Sequence, residues 1–341
     1  MKKKTLFIAI GIVLLVAACG IVTAYTCILN RPLKIEKPTF IYIDTDDNID
    51  SVCYKLEHQL LASRITGFRM LASYTHYAEN IHTGAYRFAP EERTWYIFRR
   101  LQAGNQTPVR LTVPSVRTIG MLCKAVSRQI MADSADIASL LADSTYRASL
   151  GYTAYTLPAL FIPNTYEVYW NIGAKEFVSR MQKEHKRFWN EQRTAQAKAI
   201  GLTPDEVSTL ASIVEEETAN QAEKPVIAGL YINRLHRGML LQADPTVKFG
   251  LQAFGLRRIL NKHLEYDSPY NTYKYTGLPP GPIRIPSIQG LESVLHYTHH
   301  DYLYMCAKED FSGTHNFART LQQHLANARR YQQALNRRNI R

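Results

Sequence analysis

Glu215, Glu216 and Glu217 stand in a row at the end of an apolar stretch. A carboxylate held near its pKa can both give and remove a proton. A run of like charges is ordinarily a solvated helix face, so helical position decides which of the three could do chemistry. Thr203-Pro204-Asp205-Glu206 marks the helix start: Thr203 can cap, Pro204 suits the first helical position, and Glu206 completes a capping box. The helix is predicted to run to about Thr218, with Val207, Leu210, Ala211 and Val214 as its apolar stripe. At about 100° per residue, Glu216 points away from the stripe, Glu215 falls about 100° from its centre and Glu217 about 60°. Glu217 therefore flanks the buried face. A carboxylate half-buried beside Ile213 and Val214 has a raised pKa, stays protonated near neutrality and can act as a general acid.

Other features suit a sugar-binding cleft. The chain has 21 Tyr, and Tyr270-Asn271-Thr272-Tyr273-Lys274-Tyr275 alternates aromatic and polar side chains. Aromatic rings stack on sugar rings, and amides bond hydroxyls. Gln242, Asp244 and Thr246 form a polar cluster, which an Asx-type turn at Asp244-Pro245 would also explain. His315, after Gly313, is either a cleft residue or a satisfied structural histidine. Gly277-Leu-Pro-Pro-Gly281 reads as a rigid loop.

These residues need a scaffold. Thr39–Ile43, Ala85–Phe88 and Val109–Val113 read as strands; 49–63, with Val52, Leu56, Leu60 and Leu61 in step, and 91–101 read as helices. They make a small α+β module over 39–114. Residues 117–131 and 174–199 are predicted as helices, the latter long, polar and solvated. A helix over 220–237 follows the glutamates, then an irregular stretch around Asp244-Pro245. Residues 268–282, rich in Pro, cannot be helical. Residues 287–297 and 318–336 read as helices and 302–307 as a strand, ending in a basic tail that includes Arg337, Arg338 and Arg341.

The 341-residue chain is 46% hydrophobic and 21% charged, which excludes wholesale disorder and a coiled-coil rod. Lys and Arg number 41 against 29 Asp and Glu, a net charge of +12 that favours anionic partners. An uncharged run, 5–29, follows Lys2, Lys3 and Lys4 and is long enough to span a bilayer. It reads as an uncleaved single-pass anchor, with 1–4 as a cytoplasmic tail and 30–38 as a linker. A signal peptide and a lipoprotein box at Val16-Ala-Ala-Cys19 are the alternatives. Lys2 to Lys4 are balanced by Arg31, Lys34 and Lys37, but a short basic tail before a long body favours the body outside the cytoplasm. The 5 scattered cysteines suggest neither a disulfide framework nor a zinc site. No basic motif indicates nucleic acid; anionic lipid or acidic peptide fits the charge better.

Leu210-Ala-Ser-Ile-Val-Glu-Glu-Glu-Thr218, Tyr231-Ile-Asn-Arg-Leu235, Met239-Leu-Leu-Gln-Ala-Asp-Pro-Thr-Val247, Tyr270-Asn-Thr-Tyr273, Thr276-Gly-Leu-Pro-Pro-Gly-Pro-Ile283 and His315-Asn-Phe317 occur in that order. Together they resemble the endolytic murein transglycosylase family, MltG (YceG-like), most clearly over 205–320. The resemblance implies an α+β fold: a transmembrane helix, a small LysM-like region at 39–114 and a mixed α+β catalytic region at 115–341. It implies cleavage inside nascent peptidoglycan strands at the MurNAc–GlcNAc bond, leaving a 1,6-anhydro-MurNAc end. The catalytic Glu of the family's I-V-E-x-E-T pattern maps onto Glu217. Gln242, Asp244, Thr246, Asn271, Tyr273 and His315 are the expected sugar contacts, with no metal or cofactor. Expected partners are glycan strands, membrane lipid and the cell-wall elongation proteins. The expected location is the cytoplasmic (inner) membrane, with the catalytic region on its outer, periplasmic side. Pro114-Ser115-Val116 and Ile162-Pro163-Asn164 depart from the family's Pro-Glu-Gly and Phe-Pro-Asp. A two-carboxylate hydrolase, with Glu215 or Asp244 as the second acid, and a non-catalytic wall-binding protein are the rival readings.

Overall fold

The computed structural model of the chain describes residues 2–33, 35–60, 65–256 and 258–338; Met1, Lys34, Leu61 and Arg341, used in the sequence reading, lie outside these. Helix α1 (Lys2–Ala24) runs into one π-helical turn at Tyr25–Leu29. Its stretch Phe7–Leu29 has mean hydropathy 2.7, is unburied, and is long and apolar enough to cross a membrane. The chain divides into two compact units, one comprising 1–111 with 167–172, the other 112–166 with 173–341.

The first unit builds on β1 (Thr39–Ile43), α2 (Ile49–His58), α3 (Thr66–Tyr74), β2 (Gly84–Phe88) and α4 (Thr94–Gln102), and leads into β3 (Val109–Val113). Strands β1 and β2 are antiparallel, with Thr39 opposite Phe88 and Ile41 opposite Tyr86. The period-2 alternation puts Ile41, Ile43, Tyr86 and Phe88 on one buried face. Val52 and Leu56 of α2 and Phe68 of α3 join them in one core cluster. Phe98 of α4 meets Phe68 and Tyr77 edge-on, with centroids 5.8 and 5.9 Å apart. Asn48 caps α2, its side chain accepting from Asp50 N and Ser51 N. Helix α2 is shorter than expected, and α3 was not foreseen. Helix α4 starts at Thr94 rather than Glu91, because Glu91 takes a left-handed φ of 69° that no helix accommodates. At the start of the 30–38 segment, Leu33 N donates to Glu92 O (3.1 Å) and Thr94 N to Arg31 O (3.1 Å).

Further along come α5 (Ile119–Ser127), α6 (Ser134–Ala142), α7 (Ser144–Ser149), β4 (Asn164–Val168), α8 (Ala174–Phe188), α9 (Glu191–Ile200), α10 (Pro204–Glu217), α11 (Lys224–His236), α12 (Asp244–Gly250), α13 (Asn261–Leu264), α14 (Ile288–Leu295), β5 (Tyr304–Ala307), β6 (His315–Ala318) and α15 (Leu321–Arg337). Strand β3 pairs with β4, and β5 with β6 in an antiparallel hairpin. Two expectations are corrected here. The long helix predicted over 174–199 is two helices, broken where Asn190 caps α9 by accepting from Arg193 N at 2.9 Å. It is not simply solvated either, since α8 buries Phe177, Val178, Met181 and Phe188. The stretch read as irregular at Asp244-Pro245 is helix α12, whose first turn tolerates Pro245.

Helix α10 is the spine of the second unit. The expected capping box is present: Glu206 N donates to Thr203 Oγ1 (3.3 Å) and Thr203 N to Glu206 Oε2 (2.8 Å). From Val207 to Val214 the helix is buried all round, not along one stripe. Its hydroxyls are satisfied within the core: Ser208 donates to Pro204 O and Thr209 to Asp205 O, while Ser212 Oγ accepts from Ile283 N. Helix α14 packs on α10 so closely that a Cβ on Gly290 would sit 2.7 Å from Glu215 Cδ. Gly290→Ala is therefore expected to destabilise the protein by about 1–3 kcal/mol, readable as a lowered thermal midpoint.

Candidate active site

None of the three consecutive glutamates is a solvated charge. Glu215, 6% exposed, accepts from Ser287 N at 3.0 Å and from the Ser287 hydroxyl, and pairs with the equally buried Lys224 at 3.3 Å. Glu216 is held by Arg117 through two bonds of 3.0 and 2.8 Å, and by Arg284 at 3.1 Å. Glu217 has no basic partner at bonding distance among the described residues; its Oε1 accepts from the Tyr231 hydroxyl at 2.7 Å. Two of the carboxylates are thus taken up by basic or hydroxyl partners, and the third faces none of the basic ones at bonding distance.

The Glu217 carboxyl is enclosed, and that enclosure pushes its pKa up to about 7. The Tyr231 bond works in the opposite direction, and the Asp244 charge adds to the rise. With a donor fixed on Oε1, Oε2 is the oxygen left free to hold a proton. Tyr231 sits on α11, packed beside α10, and its own ionisation is driven well above the ordinary range by burial and by Glu217. Position 231 lies in a quoted motif, yet no role could be read for it without knowing which face of α11 meets α10.

Glu217 opens into a cleft of about 240 Å³, with Tyr231, Gln242, Asp244, Tyr273 and His315 among its lining. The Tyr273 hydroxyl donates to Asp244 Oδ1 at 2.6 Å. Gln242 has a left-handed φ of 50°, sparsely populated for a residue with a Cβ. It is held there by its N–H donating to Thr272 O (3.1 Å) and by Arg234 Nη1 donating to its Oε1 (3.3 Å). Arg234 is buried and also donates to the carbonyls of Leu240 (3.1 Å), Leu241 (2.9 Å) and Leu303 (2.6 Å). It ties the Gln242 loop to the strand that follows 303. Sequence reasoning missed Arg234 too; an arginine following the apolar run Val226–Ile232, three residues from Tyr231, was the available signal.

The β5–β6 hairpin supplies the other wall, with Ala307 opposite His315. Glu223 Oε1 accepts from His315 N at 2.7 Å, and its Oε2 lies 3.0 Å from Nδ1. A carboxylate only accepts, so Nδ1 carries a proton and Nε2 is the ring nitrogen left for another partner.

Two expected contacts do not reach the cleft. Thr246 is fully buried, its Oγ1 donating to Ala243 O at 2.7 Å and lying 2.8 Å from Thr272 Oγ1. Asn271 is 1% exposed; its Nδ2 donates to Leu264 O and Tyr266 O, both at 2.8 Å, and its Oδ1 accepts from Tyr273 N. Both brace the start of α12, which carries Asp244, and the loop that carries Tyr273, because each polar atom finds a partner inside the fold.

Similarity to other proteins coincides with this geometry. The sequence pattern of the YceG-like family matches residues 41–330. A Bacillus subtilis (strain 168) protein named endolytic murein transglycosylase is 48% identical over 118 residues, 34% of this chain and 31% of the relative. A Streptococcus pneumoniae (serotype 2, strain D39) protein of the same name is 27% identical over 343 residues, covering 89% of this chain and 61% of the relative. The chain thus spans less than two thirds of the length of these curated relatives. The crystal structure of a yceG-like protein from Listeria monocytogenes matches with a TM-score of 0.57 at 26% identity, covering 85% of this chain and 99% of that one.

Proposed function

The chain belongs to the YceG-like family, and from that premise we propose that it is a lytic transglycosylase cleaving within peptidoglycan glycan strands, with Glu217 as its single acid/base. The observation that carries this reading is the enclosed Glu217, poised near pH 7 with one oxygen occupied by Tyr231. Protonated Glu217 gives its proton to the glycosidic oxygen as the bond from C1 breaks, and an oxocarbenium-like sugar forms. The Glu217 carboxylate then removes the proton of the C6 hydroxyl of the same muramic acid. That oxygen bonds to C1, closing the 1,6-anhydro ring, and the carboxyl is again protonated. No water is consumed. Gln242, Asp244, Tyr273 and His315 are the proposed sugar contacts, and Thr246 and Asn271 support them.

In this reading Phe7–Leu29 is a single-pass anchor, and the second unit works on the outer side of the cytoplasmic membrane. The module over 39–114, which contains the antiparallel β1–β2 pair and helices α2, α3 and α4, is the proposed LysM-like region. Strand-elongation proteins are the proposed partners.

One observation favours a second reading. Asp244 lines the same cleft as Glu217, as the second carboxylate of a hydrolase would. Incubating the detergent-solubilised protein with un-crosslinked glycan strands, and weighing the products, separates the two. Anhydro ends are the expected outcome. Products heavier by one water, lost in Asp244→Asn, would establish the hydrolase instead. Uncut strands with a folded protein would leave only wall binding.

A further inference from the structure

The membrane-proximal end of the first unit has no slack. Asn30 Oδ1 accepts from Arg93 Nη1 at 2.7 Å, and Arg31 O accepts from both Thr94 N (3.1 Å) and Thr94 Oγ1 (3.0 Å). On the neighbouring helix α3, Gly67 packs so tightly that a Cβ there would lie 2.6 Å from the carbonyl oxygen of Ile28. The apolar stretch ends at Leu29. Asn30 and Arg31 therefore mark the boundary between hydrocarbon and water, and the first turn of α4, bonded to both, lies at that boundary as well.

That turn carries side chains suited to the position. Trp95 and Tyr96 are 38% and 55% exposed, although the rest of α4 buries Thr94, Ile97, Phe98 and Leu101. The Arg99 guanidinium stacks on Trp95, 5.5 Å from the ring centroid. Trp95, Tyr96, Arg99 and Arg87 line a groove of about 760 Å³ that also holds Glu92 and Arg100, which pair with each other at 3.6 Å. Arg100 is used internally, donating to Arg87 O and Thr107 Oγ1. Arg87 and Arg99 are exposed and leave the rim cationic.

We propose that the Arg87–Trp95–Arg99 face is a docking site for the headgroups of anionic phospholipids in the bilayer that α1 spans. The aromatic rings sit at headgroup depth, and the guanidinium forks match the phosphate oxygens. The occupant follows from continuity: chain bonded to the groove's own helix has just left the same lipid. The proposal rests on the anchor reading.

The test uses the full chain reconstituted in vesicles of phosphatidylcholine alone, or mixed equally with phosphatidylglycerol, each with brominated acyl chains that quench nearby indoles. The chain has 3 Trp, so a Trp95→Phe variant isolates one of them. Expected are quenching that is greater in the anionic vesicles, loss of most of it in Trp95→Phe, and a fall to the phosphatidylcholine level in an Arg87→Gln/Arg99→Gln double variant. Equal quenching in both vesicles, or full quenching retained in Trp95→Phe, would overturn the proposal. Alkaline extraction before flotation reports on the anchor separately. If the protein is extracted, both readings fall; if it stays with the vesicles and Trp95 is unquenched, the docking site alone fails.

Discussion

Glu217→Gln is expected to remove about 10³-fold of the strand-cleaving rate, within the range that a positioned general acid contributes. Gln keeps the shape and can still accept from Tyr231, so binding of glycan should persist while turnover is lost. The wild-type rate should fall as pH rises through about 7, where Glu217 loses its proton. Tyr231→Phe removes a bond that favours the carboxylate, so its fall-off should lie at higher pH. Stability carries the same signature with a definite sign. The folded pKa of about 7 exceeds the ordinary 4.5, so the native state holds the proton more tightly than the unfolded chain. The associated stability is present in full below about pH 4.5 and is lost as pH rises through 7, a change of up to about 3 kcal/mol. Glu217→Gln should unfold at a higher temperature than wild type at pH 8 and at a similar one at pH 4. An inactive variant with no gain at pH 8 would mean that Glu217 is not enclosed as an acid.

Arg234→Ala should be the most damaging single change to the framework of the cleft. It strands three carbonyls, those of Leu240, Leu241 and Leu303, which at about 1 kcal/mol or more each sums to about 3 kcal/mol or more. It also frees Gln242 to leave its left-handed conformation, so activity should fall beyond what instability explains. Arg234→Lys should rescue little, because a point charge cannot reproduce a fork that reaches several carbonyls at once. Denaturant unfolding and kcat/KM on both variants provide the check; a fully active Arg234→Lys would argue that charge, not geometry, matters there.

Much of the site was legible because local rules set it. The capping box at Thr203 fixed where α10 begins, and counting along the helix then singled out Glu217. The same count misjudged Glu215, since its burial comes from α14 and from Lys224 on α11, which no helical wheel contains. Thr246 and Asn271 looked like sugar contacts because polar side chains in loops have two possible fates, and only packing distinguishes them. The break at Trp189-Asn190 was hard to see in a polar run with neither Gly nor Pro there. The stretch around Asp244-Pro245 reads as irregular from sequence, although a Pro at the second position also starts helices.

Descent within the fold is channelled by the charged end of α10. Three carboxylates at a helix C-terminus oppose its dipole, and Lys224, Arg117 and Arg284 offset that penalty. Losing Lys224 alone leaves the buried Glu215 short of countercharge, whereas exchanging both for apolar residues of matching size can be neutral. Lineages should therefore change positions 215 and 224 together or not at all, because losing Lys224 leaves Glu215 only Arg284, 3.7 Å away, and losing Glu215 strips the buried Lys224 of its carboxylate. The end of α10 is thus inherited as a block: position 217 can vary only inside a cage of paired charges that itself resists stepwise change.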